Sequence, residues 1–283
     1  MSNEHLVSSE WLANKLDDPQ LRVVDVRAHL KWESRDVGKP WESGRKDYEE
    51  SHIPGAVHLD FTSDLVDLDD PVFLQIAPRT KLAGLIGGAG IGDSHMVVAY
   101  DSDRSIFATR LWWVFRLCGH SNIRVLDGGW SKWLEQSYSV SSDVPDYDPC
   151  AFTVNARPRH RVEIDSVLTA LDDSKTTLVD ARAPRDYLGE PKWADRGGHI
   201  PGAMNLPGAS LLRDDGTFRS IAELRAIVEE ANLRRSGIII TYCGLGLSAT
   251  AVAFVLDILK YQDVSVYDGS WAEWGAREDL PAE

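Results

Sequence analysis

The segment Ile238-Ile-Ile-Thr-Tyr-Cys-Gly-Leu-Gly-Leu-Ser-Ala-Thr250 passes from a β-branched apolar run through a glycine-containing loop into a stretch without proline or glycine. The apolar run predicts a buried parallel strand, and Ser248–Leu259 predicts a helix. Cys243 therefore lies where a strand ends and a helix begins. The unpaired N–H groups and positive dipole end of a helix favour a thiolate there, and thiolates are nucleophiles. The alternative is that Cys243 is a small buried hydrophobe.

Four short motifs occur twice in the same order, which predicts two copies of one domain. The proposed boundaries are 1–138 for the first domain, 139–160 for the linker and 161–283 for the second domain. The motif pairs are Val23–Arg27 and Leu178–Arg182, His52–Ala56 and His199–Ala203, Met96–Tyr100 and Ile238–Tyr242, and Leu126–Trp130 and Tyr267–Trp271.

Each copy alternates short apolar strands with helices, a pattern typical of an α/β fold in which helices cover both faces of a mostly parallel sheet. Ligands of such sheets bind at the carboxyl edge, where Cys243 lies. The predicted strands are Leu21–Asp25, Ala56–Leu59, Met96–Tyr100, Ile123–Leu126, Thr177–Asp180, Ala203–Leu206, Ile238–Tyr242 and Val264–Tyr267. The predicted helices are Ser8–Leu16, Thr80–Ile86, Ile106–Leu117, Ile164–Leu171, Ile221–Asn232 and Ser248–Leu259.

Two further regions receive predictions. The segment from His29 to Glu50, which lengthens the first copy, is interpreted as a surface loop. Within the linker, Phe152–Asn155 is a candidate first strand of the second copy.

Composition excludes several classes of function. The net charge of -14 argues against a nucleic-acid partner, because phosphate binding needs a basic surface. The chain has no apolar run of eighteen residues and no secretory signal pattern, so neither a membrane partner nor export is predicted, and the expected location is cytoplasmic. Three well-separated cysteines without a CxxC motif indicate neither a zinc site nor a disulfide framework. No metal and no cofactor are expected.

Comparison of the two copies shows that only one carries the thiol. Asp101 follows Tyr100 as Cys243 follows Tyr242. The first copy is therefore expected to be non-catalytic. A phosphatase of the cysteine type needs an arginine six residues after the cysteine, and Ala249 stands there. The uncharged loop favours a smaller group, a persulfide held by backbone N–H groups and by the hydroxyls of Ser248 and Thr250.

Other motifs have structural interpretations. Gly87-Gly-Ala-Gly-Ile-Gly92 precedes a strand, whereas a dinucleotide-binding loop joins a strand to a helix, so a helix end and turn explain it better. His52 and His199 occur in both copies, of which only one has the thiol, and are interpreted as structural. The Asp25/Arg27 and Asp180/Arg182 pairs, which are also duplicated, are interpreted as structural ion pairs.

Taken together, these motifs resemble the tandem-domain rhodanese-type sulfurtransferases over nearly the whole chain. The resemblance implies two tandem rhodanese-like domains, a catalytic second domain and an active site in a cleft. The family cysteine aligns with Cys243. In this family it takes a sulfane sulfur from a donor, becomes a persulfide and passes the sulfur to cyanide or a thiol.

The resemblance also implies the substrate-binding residues, with departures from the family pattern. The loop residues align with Gly244, Leu245, Gly246, Leu247, Ser248 and Ala249. Thiosulfate-type members carry basic residues after the cysteine, and mercaptopyruvate-type members carry a serine where this chain has Leu245. The histidine and aspartate that act with that serine would align near Gln75 and Thr62. Arg185, beside Asp186, and Lys192 are the candidates for binding the donor anion, and Arg196 is a further possibility.

The sequence thus predicts a sulfurtransferase that uses Cys243, with thiosulfate or 3-mercaptopyruvate as donor and cyanide or a thiol as acceptor. A thioredoxin-like reductant is a candidate partner. Two alternatives stay open. The first is a persulfide carrier with weak turnover of small donors. The second is a non-enzymatic rhodanese-like binding module, against which the presence of Cys243 argues.

Overall fold

The computed structural model describes residues 5–30, 41–102, 104–155, 157–190 and 194–283. The chain divides into two compact units. Unit 1 comprises Met1–Asp67, Ile76–Arg157 and Asp214–Thr217, and unit 2 comprises Leu68–Gln75, Pro158–Arg213 and Phe218–Glu283.

Unit 1 is an α/β unit built on a five-stranded parallel sheet with the strand order β1-β7-β6-β2-β5. Its core contains side chains from both the sheet and the flanking helices. In chain order its elements are β1 (Leu6–Val7), α1 (Ser9–Ala13), β2 (Leu21–Asp25), β3 (Ala28–Leu30), β4 (Trp41–Ser43), α2 (Arg45–Glu50), β5 (Ala56–His58), α3 (Arg79–Gly88), β6 (Met96–Tyr100), α4 (Ile106–Leu117), β7 (Ile123–Leu126) and α5 (Gly129–Glu135).

Unit 2 repeats this topology with a parallel sheet in the order β10-β9-β11-β12-β8. Read from the other edge, each strand of unit 2 takes the place of one strand of unit 1. Its elements are β8 (Arg161–Val162), α6 (Ile164–Ala170), β9 (Thr176–Asp180), α7 (Pro184–Tyr187), β10 (Met204–Asn205), α8 (Ile221–Glu230), β11 (Ile238–Tyr242), α9 (Leu247–Ile258), β12 (Val264–Tyr267) and α10 (Ser270–Trp274), with 3-10 turns at Pro158–His160 and Gly208–Leu211.

The register of the two sheets confirms the predicted fold class and the alignment of the copies. Asp25 pairs with Tyr100 in unit 1, and Asp180 pairs with Tyr242 in unit 2. In both units the strand that ends in this tyrosine is the central one. The helix that follows it, α4 or α9, is buried on nearly all sides, which explains its almost uniformly apolar sequence.

Two predictions about individual segments are wrong. The segment from His29 to Glu50 is not simply a surface loop, because β3 pairs antiparallel with β4 and residues 45–50 form α2; residues 31–40 lie outside the described residues. The buried Tyr48 anchors α2 by donating a hydrogen bond to the Ala56 carbonyl at 2.8 Å. One anchoring side chain among charged neighbours produces no clear helical periodicity in the sequence.

The predicted strand Phe152–Asn155 is also absent. Phe152 instead packs its ring against Phe115 in unit 1, with 5.5 Å between the ring centroids. The edge strand of unit 2 is the two-residue β8, which pairs with β12. Apolar burial of a single side chain therefore accounts for the strand-like pattern.

Candidate active site

Cys243 directly follows the central strand of unit 2 at the carboxyl edge of the sheet. Its side chain is buried, with 3% of the residue exposed. The chain then turns through Gly246, whose φ of 77° lies in the left-handed region that glycine adopts without strain. Helix α9 begins at Leu247, and no side chain caps its first turn. The N–H groups of that turn have no partner within the helix, so they can serve a group at the cysteine.

The matching loop of unit 1 shows what such a turn binds. The buried Asp101 carboxylate accepts N–H groups from Ser105 at 3.1 Å and from Phe107 and Ala108 at 2.8 Å each. These amides belong to the residue before α4 and to its first turn. Unit 1 therefore carries its own anion in the loop, held by backbone N–H groups.

The amides can be matched between the units from the position at which each helix starts. Ser105 and Gly246 are the left-handed residues that precede α4 and α9, and the loop of unit 1 is one residue longer. The counterparts of Phe107 and Ala108 are therefore Ser248 and Ala249. In unit 2 the residue at the position of Asp101 is Cys243.

The first turn of α10 holds the backbone of the cysteine loop with three hydrogen bonds. The Cys243 N–H donates to the Ser270 hydroxyl oxygen at 3.1 Å. The N–H groups of Trp271 and Ala272 donate to the carbonyls of Cys243 and Gly244, at 2.9 Å and 3.0 Å. Sequence reasoning treated this region only as a repeated motif. The available signal was Ser270 itself, which replaces the glycine of the first copy.

The Asp–Arg pairs are structural ion pairs, as predicted. Both members are buried, and Arg182 Nη2 lies 2.5 Å from Asp180 Oδ2 and 2.7 Å from the Gly198 carbonyl oxygen. Burial alone would lower the pKa of Arg182. The hydrogen bond to Asp180 and the electrostatic effects of Asp180, Tyr242 and Cys243 outweigh burial and raise this pKa above its ordinary value. Its guanidinium thus remains a cation close to the cysteine.

The two repeated histidines also have the structural roles expected of them. The ring of His199 stacks on Tyr187 with 3.7 Å between centroids, and its Nδ1 lies 2.9 Å from the Tyr187 carbonyl oxygen. In unit 1, His52 stacks on Tyr48 and contacts the Tyr48 carbonyl in the same way. Both rings therefore fasten a turn to the helix before it.

The loop side chains lie in different surroundings. Leu245 and Leu247 are buried, with 6% and 4% exposed, and Ser248 is partly exposed. The Thr250 hydroxyl donates to the Leu247 carbonyl at 2.7 Å, so its proton is not available to a bound sulfur. That Thr250 helps to hold a persulfide stays a prediction, which requires its hydroxyl to leave this contact. A threonine hydroxyl on a helix commonly bonds to the carbonyl three or four residues earlier.

The candidate cations for binding the donor anion, Arg185 and Arg196, contact different groups: Arg185 lies near carboxylates, and Arg196 binds backbone carbonyls. Arg185 is 63% exposed, with its Nε 3.6 Å from Asp186 Oδ1 and 4.0 Å from Glu190 Oε2. Lys192 lies outside the described residues. Arg196 donates to the carbonyls of Leu280 and Trp274 at 2.7 Å and 3.3 Å.

The positions aligned with the family histidine and aspartate make local contacts. The side-chain oxygen of Gln75 accepts a hydrogen bond from Arg161 at 3.1 Å in unit 2. The Thr62 hydroxyl donates to Asp60 at 2.7 Å in unit 1. Leu245, Gln75 and Thr62 thus stand where the mercaptopyruvate-type members have a serine, a histidine and an aspartate. None of the three side chains in this chain ionises at neutral pH.

Neither Cys118 nor Cys150 follows a central strand of a sheet, as Cys243 does. Burial raises the pKa of the Cys118 thiol to about 11, although Arg79 lowers it slightly. Cys150 is partly exposed, and its thiol donates to the Asp148 carbonyl at 3.5 Å.

Within the described residues, no group of three or more His, Cys, Asp or Glu side chains could hold a metal ion. No helix in the described part of the chain has the length and apolar character needed to cross a membrane.

Both units match the family model of the rhodanese-like domain, over residues 8–136 and 163–277, so the chain belongs to the rhodanese-like domain family. It is similar to the sulfur carrier protein TtuD of Thermus thermophilus, with 33% identity over 98% of this chain and 96% of the relative. It is 34% identical to the thiosulfate sulfurtransferase of Rattus norvegicus over 96% of this chain and 92% of the relative.

A solved structure agrees with this assignment. The crystal structure of SseA from Escherichia coli, a 3-mercaptopyruvate sulfotransferase, covers 94% of this chain and 98% of its own, with a TM-score of 0.82 and 28% identity. The chain is thus a member of the family of thiosulfate and 3-mercaptopyruvate sulfurtransferases.

Proposed function

We propose that this protein transfers a sulfane sulfur from thiosulfate or 3-mercaptopyruvate to cyanide or a thiol through a persulfide on Cys243. The observation that carries the proposal is the pair of matching loops. In unit 1 the loop amides hold the Asp101 carboxylate, and the matching loop of unit 2 has Cys243 in the place of Asp101 before an uncapped helix.

In the first step the Cys243 thiolate attacks the outer sulfur of the donor and forms an S–S bond. With thiosulfate, the bond between the two donor sulfurs breaks and sulfite leaves with the electron pair. With 3-mercaptopyruvate, the C–S bond breaks and the thiol proton ends on the carbon of the departing pyruvate. In the second step the acceptor attacks the outer persulfide sulfur and releases the Cys243 thiolate.

The backbone N–H groups of Ser248 and Ala249 would stabilise the negative charge that the outer sulfur carries between the two steps. They correspond to the N–H groups of Phe107 and Ala108, which Asp101 binds. These N–H groups are already held in place before the reaction. They therefore need no reorganisation when negative charge moves from the sulfur-donating substrate to the persulfide.

A second candidate function is persulfide carriage, with a protein thiol such as a thioredoxin-like partner as acceptor. Two observations favour it. The buried side chains Leu245 and Leu247 give the loop no cation of its own for a small anionic donor. The similarity to the sulfur carrier protein TtuD extends over 98% of this chain.

The test replaces Cys243 with serine, and Cys150→Ser is the matched control for loss of a cysteine. We expect thiocyanate formation from cyanide with either donor to be abolished in C243S and unchanged in C150S. Retained activity in C243S would exclude the proposed nucleophile.

The choice between the two functions needs a comparison of donors and acceptors in the wild-type protein. Turnover of thiosulfate or mercaptopyruvate with cyanide or a dithiol supports the enzyme. A stable Cys243 persulfide seen by mass spectrometry, without turnover of either donor, supports the carrier.

A further inference from the structure

Ser270 connects the ends of two neighbouring strands through one fully buried hydroxyl. The hydroxyl oxygen accepts the N–H of Cys243 at 3.1 Å, and the hydroxyl proton is donated to the Tyr267 carbonyl at 2.9 Å. Both contacts are to backbone groups, at the last residue of β12 and at the residue after β11. The orientation of the hydroxyl is therefore fixed by the sheet.

The backbone at Ser270 is strained, because a residue with a Cβ holds the left-handed conformation that this position of the fold requires. Its φ of 52° lies in the left-handed region, which costs free energy for any residue with a Cβ. Ser137, Asn232 and Lys260 also have positive φ, but each follows the last turn of a helix, where this conformation is common. Ser270 instead begins a helix, as does the left-handed Ser105 at the start of α4. Strain of this kind accumulates at functional sites.

Unit 1 provides an internal comparison. Gly129 occupies the matching position with a φ of 53°, and a Cβ there would lie 2.3 Å from the Asp101 carbonyl oxygen. Both units nevertheless keep the next contact, from the Trp130 N–H to Asp101 at 2.8 Å and from the Trp271 N–H to Cys243 at 2.9 Å. The strand-to-helix link is therefore common to both units, and the serine hydroxyl is present only in the unit with the thiol.

We propose that Ser270 is a positioning residue for Cys243, a proposal that rests on the proposed function. By holding the Cys243 N–H, the hydroxyl fixes the peptide plane before the cysteine and so the direction in which its sulfur leaves the backbone. This directs the sulfur toward the N–H groups at the start of α9. Small displacements of a nucleophile reduce its rate strongly, because reaction requires a near-attack geometry.

Two substitutions separate the hydroxyl from the backbone strain. Ser270→Ala removes the hydroxyl and keeps the strain, whereas Ser270→Gly removes both. Ser265→Ala is the matched control, because Ser265 is a buried serine of β12 whose hydroxyl donates to the Arg159 carbonyl at 2.5 Å. Should S270A fold poorly, S270G still answers the question, since glycine suits a positive φ.

The measurements are kcat and KM with whichever donor the wild type turns over faster, or the rate of persulfide loading if it only carries sulfur. The rate of Cys243 alkylation by iodoacetamide, followed by peptide mass mapping, is measured alongside. We expect both Ser270 variants to lower kcat and the alkylation rate about three- to tenfold, as loss of one hydrogen bond implies. KM should stay within about twofold, because the contact acts on the nucleophile and not on the donor. S265A should retain both rates.

The proposal is overturned if S270G alkylates and turns over like the wild type, because the serine would then serve only the turn. It is also overturned if both variants lose thermal stability but keep both rates. Failure of the proposed function is distinguishable, since it appears as thiocyanate formation by C243S, whereas alkylation of Cys243 involves no sulfur transfer.

Discussion

Replacing Asp101 with alanine tests whether the loop of unit 1 is a filled anion site. The buried carboxylate accepts three backbone N–H groups at 3.1, 2.8 and 2.8 Å. A hydrogen bond contributes about 1 kcal/mol net, so removal of all three should lower the free energy of unfolding by about 3 kcal/mol. For a unit of this size that corresponds to a melting temperature lower by about 6–12 °C.

The assay is differential scanning calorimetry of D101A with and without added formate. Formate is a small carboxylate that can enter the emptied space, so it should recover part of the lost stability, whereas chloride at the same ionic strength should recover less. Asp17→Ala is the control, because Asp17 is exposed and its loss should cost less than about 0.5 kcal/mol. A D101A protein as stable as D17A and insensitive to formate would refute the reasoning.

Two further predictions concern charged groups. Arg182→Ala should lower the free energy of unfolding by about 3–5 kcal/mol, because it leaves the buried Asp180 without its partner. The double variant D180L/R182M should lose less stability in urea unfolding. Equal losses in the two variants would contradict this prediction. Hydrogen bonds from Thr217 and Lys132 lower the pKa of Asp215 to about 2, so its contribution to stability is present above 3.8 and lost as pH falls toward 2. The melting temperature of the wild type should therefore exceed that of D215N at pH 5, and the difference should shrink toward pH 2.5; a constant difference would argue against the assigned pKa.

Local sequence was sufficient for the centre of each unit. The strands Leu21–Asp25, Met96–Tyr100 and Ile123–Leu126 have the predicted bounds, because short segments rich in β-branched and apolar residues favour a buried parallel strand. Duplication added a second line of evidence. The repeated motifs alone identify Asp101 as the counterpart of Cys243.

Peripheral elements were less predictable. Helix α2 is held by the single buried Tyr48, and β8 has only two residues, so neither leaves a periodic pattern. The hydrogen bond of the Thr250 hydroxyl to the Leu247 carbonyl was not predictable either. Whether its hydroxyl bonds to a ligand or to its own helix depends on a side-chain rotamer, which the sequence does not specify.

The sequence by itself determined that this protein has two α/β copies and that one loop carries the thiol, because strand, turn and helix propensities are local properties of short segments. Only the tertiary structure decided how the loops work. The three N–H groups that bind Asp101 and the hydroxyl of Ser270 that holds Cys243 converge through the packing of separate strands and helices. The contacts of Asp101 lie within one loop and helix start, but their distances and angles depend on the loop conformation, and the contact of Ser270 with Cys243 joins residues 27 positions apart.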